Sequence, residues 1–142
     1  MDPLSLTASI VTVSGLAQEA GKTLRKLHQL RHVSDEIHSL VNDVSDLQAV
    51  LGEVDRAVIQ YQATAHLPDE VVAPLSQTVE AAKQKLLELD QMTTRAVGPD
   101  AKTKGAKLGL KWFWARPKAM SIQQSLRNTR INLVTILGSL CS

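Results

Sequence analysis

The chain has 142 residues, 44% apolar and only 3% aromatic, which fits one globular domain with an aliphatic core and about 68% of its unfolded surface buried. Seven Gly and five Pro are too few for a strand-and-turn-rich sandwich, and the single cysteine, Cys141, excludes an internal disulfide. The net charge of +2 hides a division: residues 1–100 carry −6, and residues 101–142 carry +8 with no acid at all.

Asp2-Pro3 starts the first expected helix. Asp2 suits the cap, and Pro3 suits the first helical position, whose N–H has no partner in any case. Leu6, Ile10, Val13, Ala17, Ala20, Leu24 and Leu27 follow at spacings of three and four, so one face is apolar and the helix is expected to run to about Arg31. No charged residue occurs from Pro3 to Gln18. Ser5, Thr7, Ser9, Thr12, Ser14 and Gly15 fill the other faces. This stretch spans about 24 Å as a helix, short of the ~30 Å hydrocarbon core of a bilayer. No Lys or Arg precedes Lys22, so the basic n-region of a secretory signal is lacking and a cytoplasmic location is expected.

Ser34, Asp35 and Glu36 mark the next start, with a capping residue followed by acids at the positive end of a helix dipole. Ile37, Leu40, Val41, Val44, Leu47, Leu51, Val54, Val58 and Tyr61 predict a helix over 35–62. Asp35, Asp46 and Glu53 fall within about 20° of one another on a helical wheel, as a solvated acidic face. His66-Leu67-Pro68 breaks the pattern. A third helix is expected from Asp69, burying Val72, Leu75, Val79, Ala82, Leu86, Leu89 and Met92, with Pro74 delaying or kinking its start. Residues 97–106 (VGPDAKTKGA) read as a loop. Residues 107–117 (KLGLKWFWARP) read as a short basic and aromatic segment, followed by a last helix from Lys118 to Leu140. That helix faces Ile122, Leu126, Leu133 and Leu137 inward, with Ile136 and Leu140 beside them. The expected class is all-α: an up-down bundle of four long helices with a short extra basic and aromatic helical segment, forming one domain over 1–142.

The chemistry of catalysis finds little footing. Gly15 to Thr23 holds five residues between its glycines where a phosphate loop needs four, and an amphipathic helix runs through it. His28 and His32 stand at a zinc-compatible spacing, but Arg25, Lys26 and Arg31 surround them and no third ligand is at hand. No G-x-S-x-G elbow occurs, and no carboxylate pair is marked out. The chain is read as non-enzymatic, with no cofactor and no metal. The basic run lacks a recognisable reading module, so no nucleic-acid partner is expected.

Two features stand above this background. The uncharged opening helix can be an ordinary buried bundle helix, or one whose Leu4, Leu6, Ile10, Val11, Val13 and Leu16 enter a membrane as part of an oligomer. Lys102, Lys104, Lys107, Lys111, Arg116 and Lys118 surround Trp112 and Trp114. They can be solvated around packed tryptophans, or bind anionic headgroups at about 1 kcal/mol per cation with the indoles at the interface.

The opening Met1-Asp2-Pro3-Leu4-Ser5-Leu6-Thr7-Ala8-Ser9-Ile10 resembles the start of the fungal N-terminal domains of NOD-like receptors and related STAND proteins. Lys111-Trp112, Leu126-Arg127 and Asn132-Leu133 are similar to that family's Trp-containing segment and closing helix. The nearest type is the HeLo-like domain, related to the four-helix bundle of the mixed lineage kinase domain-like protein. The resemblance implies a regulated cell-death effector without catalytic residues. It would oligomerise, move from the cytoplasm to anionic lipid at the plasma membrane and permeabilise it through its N-terminal helix, with a receptor as a further partner. It departs from the pattern in showing no nucleotide-binding domain and no amyloid-forming tail. The alternative is an adaptor, in which the acidic second helix and the basic end pair between protomers or with a receptor.

Overall fold

The computed structural model describes residues 3–28, 35–97 and 105–141, with side chains described over 5–26, 35–94 and 115–141. Four helices follow in order: α1 (Pro3–His28), α2 (Asp35–Thr64), α3 (Asp69–Val97) and α4 (Gly105–Cys141). No strand occurs among the described residues. The chain is an all-α four-helix bundle.

Each helix is held by one aliphatic stripe. Leu6, Ile10, Val13, Ala17, Ala20 and Leu24 of α1 are buried, and the expected Leu27 lies outside the described side chains. Ile37 through Val58 of α2 are buried in the expected register, with Tyr61 half-buried against them. Leu75, Val79, Ala82, Leu86, Leu89 and Met92 of α3 complete that side, with Val72 half-buried. Among the described side chains, no aromatic ring is fully buried. At roughly 1.5–3 kcal/mol per large aliphatic side chain, the core is the main source of stability.

α1 packs on α2 and α3, and α4 packs on α2 and α3, so α1 and α4 lie on one diagonal and α2 and α3 on the other. Gly21 lies close to Val44, whereas the earlier residues Ile10 and Gly15 share a cleft with the later residues Leu51 and Asp55, so α1 runs antiparallel to α2; Arg25 Nη2 donates to Ser45 Oγ (3.2 Å) across the same pair. The pairs Glu36–Arg116, Asp43–Arg127 and Asp46–Arg130 advance together, so α2 and α4 run parallel. The four-residue connection from α2 to α3 therefore crosses one end of the bundle. Leu67, expected only to break the pattern, is buried there and plugs that end. The Pro68 carbonyl accepts from the Val71 and Val72 amides (3.0 and 3.1 Å), closing the first turn of α3.

Pro74 neither delays nor interrupts α3, which begins at Asp69. The larger difference is in α4. Residues 107–117 are not a separate segment. They form the opening turns of one 37-residue helix that passes through Pro117. Pro117 removes only the amide that would bond to the Phe113 carbonyl. On either side of it, half-buried Ala115 and buried Ala119 dock on the core, and Arg116 is tied to Glu36. These contacts offset the missing hydrogen bond. Among its described side chains, 115–141, α4 also buries fewer aliphatics than its neighbours. Ala119, Ile122, Leu126 and Leu133 face inward, Leu137 is half-buried, and Thr129 fills the gap with its hydroxyl donating to the Ser125 carbonyl at 2.9 Å.

Candidate functional site

The two halves of the molecule differ in charge. By the antiparallel register, residues 3–18 of α1 lie beside the second half of α2; by the parallel register, residues 131–141 lie there too. Residues 3–18 and 131–141 carry no charge, and residues 57–79 carry only Asp69 and Glu70. One end of the bundle is thus nearly uncharged on all four helices. The opposite end holds the start of α2 and the start of α4.

The ion pairs lie toward that other end. Arg116 Nη2 donates to Glu36 Oε1 at 2.6 Å. Arg127 Nε and Gln123 Nε2 both donate to Asp43 Oδ2, at 2.8 and 2.6 Å. Arg130 Nη1 donates to Asp46 Oδ2 at 2.8 Å. Asp46, expected on a solvated acidic face, is therefore engaged by α4, while Asp35 and Glu53 are exposed. The α2–α4 seam is polar over its first half and becomes apolar toward half-buried Val50 and Tyr61. A helix wheel reveals the acids on α2, but the arginines that meet them are 80 or more residues away, and local spacing carries no signal of that pairing.

The proposed inserting residues divide between faces. Leu6, Ile10 and Val13 are buried in the core, Leu16 is half-buried, and Val11 is 56% exposed on the outer side. The Leu4 side chain lies outside the described residues. With no charged residue from Pro3 to Gln18, no side-chain ion pair holds the first half of α1 to the bundle. Two clefts flank it. One, of about 170 Å³, lies toward α3 and includes Thr12, Val79 and Lys83. The other, of about 280 Å³, lies toward α2; Ile10 and Leu51 line it together with Gly15, Gly52 and Asp55. On α2, the Asp55 Oδ1 and Gln62 Nε2 atoms are shielded from water and make no hydrogen bond. Sequence periodicity could not single out either atom, because both residues occupy ordinary flanking positions.

Of the expected headgroup residues, Lys102 and Lys104 lie outside the described residues. Lys107, Lys111, Trp112 and Trp114 belong to the first turns of α4, with side chains outside the described set. Arg116 is engaged by Glu36, and Lys118 is exposed. Arg116 stands level with Glu36, and Leu6 with the end of α2, so about 25 residues or ~37 Å separate the basic segment from the start of α1 along the bundle. The two expected membrane contacts occupy opposite ends. Among the described residues, no helix is long and apolar enough to cross a membrane, and no cluster of three or more His, Cys, Asp or Glu residues could hold a metal ion.

Against this architecture, residues 1–112 match the family model described as pigment biosynthesis cluster protein PigL N-terminal. The chain belongs to this family. The match covers α1, α2, α3 and the opening of α4, including the Trp112 position. No curated protein and no solved structure matches the chain.

Proposed function

We propose that this bundle is a non-enzymatic effector of the HeLo-like type that permeabilises membranes in regulated cell death, of the fungal heterokaryon-incompatibility or immunity kind. It waits in the cytoplasm, is recruited to anionic lipid at the plasma membrane, oligomerises and exposes α1. The observation that carries this reading is the charge-free first half of α1, attached to the bundle through a stripe of buried aliphatics and no side-chain ion pair. Exposing Leu6, Ile10 and Val13 to water would cost about 5–8 kcal/mol. Release therefore happens only where lipid or another protomer covers those side chains again. Once released, α1 presents Leu6, Ile10 and Val13 on one side and Val11 on the other, with Ser and Thr between them. A helix that is apolar on more than one side suits an oligomer in a bilayer.

The ~37 Å between the basic segment and the start of α1 sets the sequence of events. Lys102, Lys104, Lys107, Lys111, Arg116 and Lys118, with Trp112 and Trp114, hold the domain to headgroups first. α1 then swings out, or the bundle lies lengthwise on the surface. The adaptor reading loses one support, since Glu36, Asp43 and Asp46 already pair with arginines of their own chain.

Dye leakage from vesicles tests the proposal. The chain should release dye from anionic vesicles, less so at high salt, and spare neutral ones. Ala8→Glu with Thr12→Glu places charge on exposed positions of α1, so the bundle should keep its helical circular dichroism and lose leakage. Leakage retained by this folded variant would overturn insertion. Equal indifference to both vesicle types would leave the adaptor.

A further inference from the structure

The carboxylates of α2 are answered unevenly. Asp43 and Asp46 meet arginines of α4. Half-buried Asp55 lies further along the helix, on the side of α1, where Ile10, Ser14, Gly15 and Gln18 share its cleft of about 280 Å³. The Asp55 Oδ1 atom is shielded from water and accepts no hydrogen bond, from the Ser14 hydroxyl or from any other donor. The guanidinium of the next residue, Arg56, lies against Gly52 instead.

The facing part of α1 has no cation to offer. No charged residue occurs from Pro3 to Gln18. Gly21 faces Val44, so Lys22, the first cation of the helix, stands roughly 18 Å from Asp55 along the bundle. Lys22 is also paired with Glu19 of its own helix at 3.4 Å. A carboxylate oxygen withdrawn from water and given no partner favours any state in which water reaches it.

The two halves of α1 differ in the same sense. The second half is held closely: a Cβ on Gly21 would lie 3.8 Å from Val44, and Arg25 donates to Ser45 at 3.2 Å. The first half is flanked by both clefts, and a Cβ on Gly15 would meet nothing within 4 Å. Leu6, Ile10 and Val13 hold it through their burial. Loose packing and the unanswered carboxylate thus coincide on one contact, that of residues 3–18 with α2.

We propose that Asp55 is a built-in release device. Its unanswered oxygen lowers the stability of the docked first half of α1. Residues 3–18 therefore open transiently as a unit and dock again, while α2, α3, α4 and the second half of α1 stay folded. Water reaches Asp55 Oδ1 in the open state and is shut out in the docked one. The use of this opening in membrane insertion rests on the function proposed above; the opening itself needs no lipid.

Native-state hydrogen exchange on the full chain without lipid tests it. In the wild type, the amides of residues 7–18 should exchange through an opening that Leu86, in the core of α3, does not share, and with a weaker dependence on urea. Asp55→Leu removes the shielded oxygen and should slow the exchange of residues 7–18 about tenfold, with unchanged helical circular dichroism. Ser14→Arg supplies a cation from α1 within the cleft and should slow it too, but not when Asp55→Leu is already present. Residues 7–18 that exchange together with Leu86 at every urea concentration would overturn the device. So would an Asp55→Leu chain in which they exchange no more slowly, or a Ser14→Arg gain that survives Asp55→Leu, since the arginine then answers another group. Dye leakage from anionic vesicles separates the device from the function. Slower exchange with reduced leakage supports both, and slower exchange with unchanged leakage leaves the device standing and faults insertion through α1. Unslowed exchange in a chain whose leakage is lost on Ala8→Glu with Thr12→Glu faults the device alone.

Discussion

Arg127 and Gln123 converge on one oxygen of Asp43, at 2.8 and 2.6 Å, from one helical turn of α4. The Asp43 side chain is only 11% exposed, whereas Asp46, one turn on, is 57% exposed and meets Arg130 alone. The same helix pair thus carries one shielded polar node and one solvated ion pair.

Burial decides which of the two matters. Asp43→Ala removes the carboxylate that Gln123 and Arg127 share, leaves them the Ser39 hydroxyl oxygen alone, and should lower stability by about 1–2 kcal/mol, against no more than about 0.5 kcal/mol for Asp46→Ala. Urea denaturation of both variants checks this order. A coupling between Asp43→Ala and Arg127→Ala in a double-mutant cycle should account for part of the larger loss.

Ile10 and Val11 are neighbours in sequence and opposites in environment, fully buried and 56% exposed. Ile10→Ala should cost about 2–4 kcal/mol through lost transfer energy and a cavity beside Leu51. Val11→Ala should change stability by no more than about 0.5 kcal/mol. Thermal melts read both, and equal effects would contradict the orientation of α1.

Gln62 hides an amide nitrogen that makes no hydrogen bond. Gln62→Met keeps the length of the side chain and removes the desolvated donor, so stability should rise by about 1 kcal/mol. A fall in the urea midpoint would mean that the amide has a partner.

Pro117 lies inside α4. Pro117→Ala returns the amide to the Phe113 carbonyl and should stabilise the bundle by about 1–2 kcal/mol, less than the full propensity difference because the helix already passes through this position. Hydrogen exchange should show slower exchange around residue 117.

The stripes of α1, α2 and α3 are legible in the sequence because burial of a helix face imposes a period of 3.6 on it. α4 was harder. Its apolar residues are spread around the helix, with Ile131 and Val134 outside and Thr129 inside, so periodicity alone starts it at Lys118; Leu137, expected inward, does pack against the core but is only half-buried. The expected surface sites were legible as composition only. The uncharged opening and the basic segment can be seen in the chain, but the ~37 Å between them cannot.

By itself, the order of residues decided the class, the number of long helices and the inward face of three of them, because these follow from local periodicity and chain length. Tertiary structure alone decided that α2 stands diagonal to α3, that α4 runs unbroken through Pro117, that Asp43 and Asp46 are answered by α4, and that the charge-free segments gather at one end. Those facts depend on which helix flank meets which, and contacts between residues 80 or more positions apart leave no mark on local spacing.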